Sequence, residues 1–180
     1  IRWNMIKGER INLRAVEPYD RDLMYAWEND TRNWHVSGTL SPFSKHTVDE
    51  FLKNAKEDIY TTRQLRLAID LNENPQPRTI GYIDLFDFEP PHRRAGVGVL
   101  IGEHGDRGKG LATESLQLLC GYAKDVLNLH QLYCHIHQDN LSSVKLFTTA
   151  GFVPCGELKD WTFVSGQWKH VGVFQKLLNH

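Results

Sequence analysis

The stretch Arg107-Gly108-Lys109-Gly110-Leu111-Ala112 decides the fold, because it separates an apolar segment from an amphipathic one. The apolar segment, residues 95–101, is typical of a strand, and its glycines Gly96 and Gly98 favour a bulge or a close backbone approach. The segment that follows, about 111–126, has small or apolar residues at every third or fourth position, as the core-facing side of a helix does. The sequence therefore predicts a strand, a glycine loop and a helix in that order.

A glycine loop that opens a helix is suited to hold a phosphate group. The first N–H groups of a helix have no partner within it, and the helix dipole makes that end positive. Glycine lets the backbone approach an anion, and Arg107 and Lys109 can add charge at the rim. A Walker A loop does not fit, because Leu111 and Ala112 stand where it needs Lys and Ser or Thr. A plain connecting turn is the competing interpretation.

The rest of the pattern alternates strands and helices. Residues 33–44, rich in Ser, Gly and Pro, are predicted to form a loop, and Thr47 is predicted to open the next helix with a capping box. The order predicts an α+β or mixed α/β protein, with one domain over residues 1–180. Strands are predicted at 10–15, 64–71, 79–86, 95–101, 131–137, 161–164 and 167–177, and helices at 17–29, 47–55, 111–126 and 140–150.

Composition restricts the class of protein. The 180 residues are 41% hydrophobic and 24% charged, as in ordinary globular domains, and the formal net charge of −1 does not favour a nucleic acid or membrane partner. Cys120, Cys134 and Cys155 are widely spaced, so we expect reduced thiols in a cytoplasmic protein. No apolar run approaches the roughly 20 residues of a membrane span. The N-terminus shows no signal-peptide pattern, and Met5 is a candidate first residue of the natural chain.

Three motifs together resemble the GNAT N-acetyltransferase superfamily. The run 107–112 resembles its signature of Gln or Arg, two residues, Gly, one residue, and Gly or Ala. The run 139–147, Asp-Asn-Leu-Ser-Ser-Val-Lys-Leu-Phe, with Gly-Phe at 151–152, resembles the family block NxxSxxLYxxxGF. Gly-Tyr-Ile-Asp-Leu at 81–85 with His-Arg-Arg-Ala at 92–95 is similar to spermidine and ribosomal-protein alanine acetyltransferases. The motifs also have the spacing of the family.

The resemblance implies a central mixed, mostly antiparallel sheet flanked by helices. Acetyl-CoA would lie in a gap between the strand that ends near Ile101 and the strand that begins near Gln131. The pantetheine arm would pair with the first strand, and the loop amides would hold the pyrophosphate. The implied cofactor-binding residues are Val99, Leu100, Ile101, Arg107, Gly108, Lys109, Gly110, Leu111, Ala112, Thr113, Asn140, Ser143 and Phe147.

The implied activity is transfer of acetyl from acetyl-CoA to a primary amine, by direct attack in a ternary complex. The acceptor would be a small amine, such as a polyamine, or the N-terminal amine of a protein or peptide. Asp84 is a candidate to deprotonate or orient that amine, and a solvated or salt-bridged carboxylate is the alternative. Trp34 lies in the region that lines the acceptor site of related enzymes, so it is a candidate substrate contact.

Two departures from the family pattern affect the chemistry. Phe147 replaces the tyrosine that acts as general acid, and Ser143, acting through water, is the candidate substitute. Gly96 replaces a glutamate of the spermidine branch. A CoA-binding sensor or assembly module without catalysis is therefore the alternative to an enzyme. A homodimer through the C-terminal hairpin is left open, and no metal is predicted, because His135 and His137 have a spacing compatible with zinc but no third ligand.

Overall fold

The computed structural model describes residues 5–178, and its centre is a sheet of eight strands. Residues 1–4 lie outside the described residues. The prediction that Met5 is the first residue of the natural chain therefore stays a prediction. The strands lie in the order β1-β2-β3-β4-β5-β6-β8-β7, and every neighbouring pair is antiparallel except β5 and β6. The strands are β1 Met5–Lys7, β2 Ile11–Ala15, β3 Leu65–Leu71, β4 Arg78–Glu89, β5 Arg94–Ile101, β6 Gln131–His137, β7 Val153–Val164 and β8 Gln167–Leu177.

Helices cover the two faces of this sheet, which confirms the predicted mixed architecture. One face packs the long helix α5 and its neighbour α6 into the larger core, which includes Leu116, Leu119 and Phe147. The other face packs α1 and α3 around Trp27 and Tyr82, whose rings meet edge to face at 5.2 Å. The helices are α1 Arg21–Glu28, α2 Thr31–Ser37, α3 Lys45–Asn54, α4 Ile59–Thr62, α5 Leu111–Asp125 and α6 Leu141–Thr149.

Three of the sequence-based element predictions are wrong. The predicted loop 33–44 begins with α2, whose N-cap Asp30 accepts a hydrogen bond from the N–H of Arg32 at 3.0 Å. Helix α3 is capped by Ser44 and not by Thr47, since the Ser44 hydroxyl accepts from the Thr47 N–H at 3.0 Å. Strand β7 begins at Val153, eight residues before the predicted 161, because an edge strand tolerates the proline and the two register shifts that obscure its pattern.

A buried arginine fastens the start of α1 to the sheet. Arg14 on β2 donates to both oxygens of Asp20 at 2.8 Å and to Asp70 on β3 at 2.7 Å. Burial lowers the pKa of Arg14, but the hydrogen bonds and charges of Asp20 and Asp70 outweigh it and raise the pKa above its ordinary value. The position of α1 over the sheet is therefore fixed by charges as well as by apolar packing.

Strands β5 and β6 separate soon after they meet. Their parallel pairing joins residues 94–96 to residues 131–133 and stops there in the described chain. Beyond that point β5 stays paired with β4 up to Ile101, and β6 stays paired with β8 up to His137. The gap that the resemblance implied between these two strands is confirmed.

Candidate functional site

A cleft of about 850 Å³ lies between the end of β5 and helix α6, which follows β6. Its walls come from the end of β5, the glycine loop, the first turn of α5, helix α6 from Ser142 to Thr149, and one side of α2. Most of the residues predicted to bind the cofactor meet in this cleft. Those that line it are Val99, Leu100, Ile101, Arg107, Gly108, Gly110, Leu111, Ala112, Thr113, Asn140 and Ser143.

Strand β5 presents backbone polar groups to the cleft. The N–H of Gly102 donates to the carbonyl of Ile80 on β4 at 2.9 Å, and along an antiparallel strand alternate residues face the same neighbour. The N–H and C=O groups of Val97, Val99 and Ile101 therefore face the gap. Arg107 uses one of them, because its Nε donates to the Ile101 carbonyl at 2.9 Å. Val99, at the middle of the open edge, can offer both a donor and an acceptor to a ligand.

The N-terminus of α5 forms the end wall of the cleft and is open to a ligand. Among residues 5–178, no side chain caps this helix, whereas Asp30, Ser44, Asp58 and Asn140 cap other helices. Its N-cap is Gly110, with φ of 78°, a left-handed conformation that favours glycine. The first N–H groups of α5 have no partner within the helix, so an anion in the cleft can accept from them.

The charged side chains of the loop are both bound by neighbouring acceptors. Arg107 donates to Ile101 and, at 3.3 Å, to the side-chain oxygen of Asn33. Lys109 lies 3.5 Å from a carboxylate oxygen of Asp106 and is not among the described residues that line the cleft. Asp106 is buried and also accepts from Arg78 at 2.7 Å, a hydrogen bond that lowers the pKa of Asp106. Both cations thus hold the loop in place, and the backbone supplies the positive end of the cleft.

Helix α6 brings Asn140 and Ser143 to the opposite wall. The side-chain oxygen of Asn140 accepts from the Ser143 N–H at 3.2 Å and from the Ser142 hydroxyl at 2.9 Å, so it caps the helix. The amide nitrogen of the same side chain keeps its donors for another partner. Phe147 is only 5% exposed, packs edge to face on Phe152 at 5.1 Å, and lies in the core and not in the described wall of the cleft. Its apolar ring is satisfied by packing.

Asp84 is not among the described residues that line the cleft; it lies on the adjacent strand β4, in an ion-pair cluster. Its two oxygens accept from Nε and Nη2 of Arg66 at 2.7 and 2.9 Å, and Nη1 of Arg66 donates to Glu28 at 2.5 Å. Burial lowers the pKa of Arg66, but the charges of Asp84 and Glu28 outweigh it and raise the pKa. In the register of the sheet Asp84 pairs with Gly98, next to the open edge of β5. The cluster holds two carboxylates and one guanidinium.

Trp34 contacts this cluster through the backbone. Its indole N–H donates to the carbonyl of Glu28 at 2.9 Å, and its side chain is half-buried. Among the described residues it is not part of the wall of the cleft, whereas its neighbours on α2 are. The structure therefore places Trp34 between α1 and α2, where it holds the two helices together.

The wall formed by α2 was not predicted from the sequence. Arg32, Asn33, His35 and Val36 line the cleft opposite α6. Asn33 is 9% exposed, and its amide nitrogen has no hydrogen-bond partner among the described residues. The signal that could have revealed this helix is Asp30, a preferred N-cap residue directly before it.

No group of three or more His, Cys, Asp or Glu side chains among residues 5–178 is arranged to hold a metal ion. His137 shares a hydrogen bond of 3.1 Å with the Thr162 hydroxyl. The three cysteines are free thiols, and burial raises the pKa of Cys134 to about 12. No helix in the described part of the chain has both the length and the apolar character that a membrane span requires.

Known proteins resemble this chain over nearly its whole length. A family model described as an acetyltransferase (GNAT) domain matches residues 10–153. A spermidine N(1)-acetyltransferase of Vibrio cholerae is 28% identical over 165 residues, which are 91% of this chain and 91% of the relative. A crystal structure of the Vibrio cholerae spermidine N-acetyltransferase with CoA and spermine has a TM-score of 0.85 at 24% identity, over 95% of this chain and 97% of the other, which establishes the fold. Another structure of that enzyme, with manganese ions, has a TM-score of 0.75 at 25% identity over 94% and 93% of the two chains.

Replacing Gly110 with alanine is expected to weaken CoA binding about tenfold. A side chain at a φ of 78° costs roughly 1–2 kcal/mol, so the first turn of α5 shifts and its N–H groups lose their common direction. Gly166→Ala is the matched control, because Gly166 has a φ of 79° at the distant β7–β8 turn. Calorimetric titration with CoA should separate the two variants. Equal affinities in two folded proteins would contradict the role of the α5 N-terminus.

Proposed function

Because the chain belongs to the GNAT acetyltransferase family, we propose that its acceptor is a polyamine or a similar small primary amine. The protein is an acetyl-CoA-dependent N-acetyltransferase, and the comparisons give no support to the alternative of a non-catalytic sensor. The observation that carries the choice of acceptor is the match to a spermidine N(1)-acetyltransferase over 91% of both chains. An N-terminal amine of a protein or peptide is the second candidate.

The cofactor is proposed to lie along the open edge of β5. Acetyl-CoA supplies an acetyl group already activated as a thioester. The N–H groups at the start of α5 would hold its pyrophosphate, because they are uncapped and lie at the positive end of the helix dipole. Val99 would pair with the pantetheine arm on one side, and the free amide nitrogen of Asn140 would donate to it from the other. The cleft of about 850 Å³ has room for this arm.

The remaining task of the protein is to position the amine and to stabilise developing negative charge. A neutral amine can attack the thioester carbonyl directly once both are held in one cleft. A backbone N–H of β5 that faces the gap, that of Val99 or Ile101, would stabilise the oxyanion. Phe147 cannot donate a proton, so the proton that the attacking nitrogen loses would pass to water, and the thiolate would leave unaided or be protonated through water, with Ser143, which lines the cleft, as a relay.

The Arg66–Glu28–Asp84 cluster is proposed to attract the acceptor. Two carboxylates and one guanidinium leave one net negative charge beside Gly98, and side-chain exposures of 15–21% keep that charge partly desolvated. A polyamine carries several positive charges, so the cluster favours its approach more than that of a neutral amine. Because both oxygens of Asp84 already accept from Arg66, we propose orientation of the amine as its role ahead of proton removal.

Acetyl transfer to an amine panel tests the acceptor. We expect thiol release from acetyl-CoA above the uncatalysed rate with spermidine and spermine, and slower release with short peptides that have free N-termini. The physical reason is the net negative charge beside the cleft. A preference for peptides would overturn the proposal. Tight CoA binding without release for any amine would instead restore the sensor alternative.

Asp84→Asn is expected to raise the KM for spermidine about tenfold, corresponding to about 1.4 kcal/mol, and to leave the KM for acetyl-CoA unchanged. The change removes the net negative charge and leaves Arg66 paired with Glu28. Glu89→Gln on the same strand is the control, since Glu89 pairs with Arg94 at the other end of β4. A loss of kcat with an unchanged KM would show that Asp84 is a base. Melting temperatures of both variants exclude unfolding.

A homodimer through the C-terminal hairpin is also proposed. Trp161, Phe163 and Trp168 are 57–62% exposed there, and large exposed apolar groups commonly mark interfaces. Strand β7 ends the sheet order, so it offers an edge to a second copy. Light scattering should give twice the mass of the chain for the parent protein. For Trp168→Asp it should give the mass of a single chain. A monomeric parent protein would refute the dimer.

The cytoplasmic setting, the single domain over residues 1–180 and the absence of a metal stay predictions. The continuous sheet through residues 5–178 supports one domain. Activity after treatment with a chelator measures any need for a metal.

A further inference from the structure

We propose that Arg10 is a positioning residue that turns the amide groups of the glycine loop toward the cofactor. Arg10 lies in the turn between β1 and β2, about 100 residues before the loop in sequence. The inference rests on the proposed cofactor site, and it names a residue outside the family signature as part of what makes that site.

The guanidinium of Arg10 holds the back of the loop. Its Nη1 donates to the carbonyl of Lys109 at 2.9 Å, and its Nη2 donates to the carbonyl of Gly110 at 3.3 Å. These are the last two carbonyls before α5, whose N-cap is Gly110. The Gly110 carbonyl also accepts the first backbone hydrogen bond of α5, from the Glu114 N–H at 3.2 Å, so Arg10 and the helix hold this carbonyl together, while Arg10 also holds the Lys109 carbonyl that precedes it.

The direction of a carbonyl determines the direction of the next N–H. In a trans peptide the C=O and the following N–H lie in one plane and point in opposite directions. A Lys109 carbonyl turned to Arg10 therefore turns the Gly110 N–H away from Arg10, and a Gly110 carbonyl turned to Arg10 does the same for the Leu111 N–H. Gly110 and Leu111 both line the cleft. Arg10 thus orients two donors of the proposed pyrophosphate site without occupying it.

Arg10 is itself held by the first turn of α5. Its Nε donates to Glu114 at 2.9 Å, and its backbone N–H donates to the same carboxylate at 2.8 Å. Burial raises the pKa of Glu114, but these hydrogen bonds outweigh it and lower the pKa below its ordinary value, so the carboxylate stays charged. Gly8 lets the turn sit against α5, since a Cβ there would come within 2.7 Å of Leu118 and 2.8 Å of Glu114.

A simpler role for Arg10 is attraction of the phosphates by its positive charge. The two roles differ in what they require. Attraction requires a cation, which lysine also provides, whereas orientation requires a planar group that reaches two carbonyls and a carboxylate at once. They also give opposite signs for Glu114→Gln. Loss of a negative charge near the pyrophosphate should tighten binding by attraction alone, whereas loss of the partner that holds Arg10 should weaken it.

The experiment compares two acetyl donors. Acetyl-CoA has the pyrophosphate, and acetyl-pantetheine has the same thioester arm without it. For Arg10→Gln we expect kcat/KM with acetyl-CoA to fall at least tenfold and kcat/KM with acetyl-pantetheine to stay within twofold. The Kd for CoA, measured by calorimetry, should rise by the factor by which kcat/KM with acetyl-CoA falls. Arg10→Lys should show most of this loss, and Glu114→Gln a smaller loss of the same kind.

Arg94→Gln is the matched control, because Arg94 is also half-exposed and paired with a carboxylate, Glu89, but lies away from the loop. Arg94→Gln should leave kcat/KM unchanged with both acetyl donors. Full recovery in Arg10→Lys, tighter CoA binding in Glu114→Gln, or an equal loss with both donors would each overturn the positioning role. If Arg10→Gln does not fold, the change in CoA affinity of Glu114→Gln decides between the two roles: weaker binding supports positioning, and tighter binding supports attraction. Failure of Gly110→Ala to affect CoA would instead remove the proposed site itself.

Discussion

The separation of β5 and β6 after three paired residues is the constraint on which the rest of the site depends. A strand edge that loses its neighbour inside a sheet exposes N–H and C=O groups that must find other partners. Arg107 takes the Ile101 carbonyl, and the groups around Val99 remain for a ligand. Because α5 follows β5 and α6 follows β6, both helices begin at the mouth of the same gap. A ligand that enters the gap can therefore contact the N-termini of both helices.

The sequence predicted those parts of the site whose chemistry is local. The glycine loop and the start of α5 at Leu111 were predicted correctly. The signals were glycines, which permit the positive φ that the structure has, and an apolar helical repeat, and both fall within about ten residues. Asn140 before α6 and Gly151 after it, with a φ of 90°, are equally local signals. The family resemblance supplied the gap, which composition and periodicity alone did not give.

The parts that could not be predicted depend on contacts between distant segments. Arg66 meets Asp84 and Glu28 across 18 and 38 residues, so no pattern in the chain shows that Asp84 has a cation bound to both of its oxygens. Arg107 and Lys109 are cations in the expected positions, yet both are bound by neighbouring acceptors, and of the two only Arg107 lines the cleft. Helix α2 is short, and its Ser- and Gly-rich continuation hid it.

The contact between the first hairpin and the glycine loop has a consequence for the whole chain. Linkage is reciprocal: if the hold of Arg10 on the loop strengthens the binding of CoA, bound CoA must strengthen the attachment of the β1–β2 turn by the same free energy. The β1–β2 turn would then be held against α5 more firmly in the CoA-bound protein than in the free protein. The first hairpin, although it lies behind the loop, is then energetically part of the proposed cofactor site.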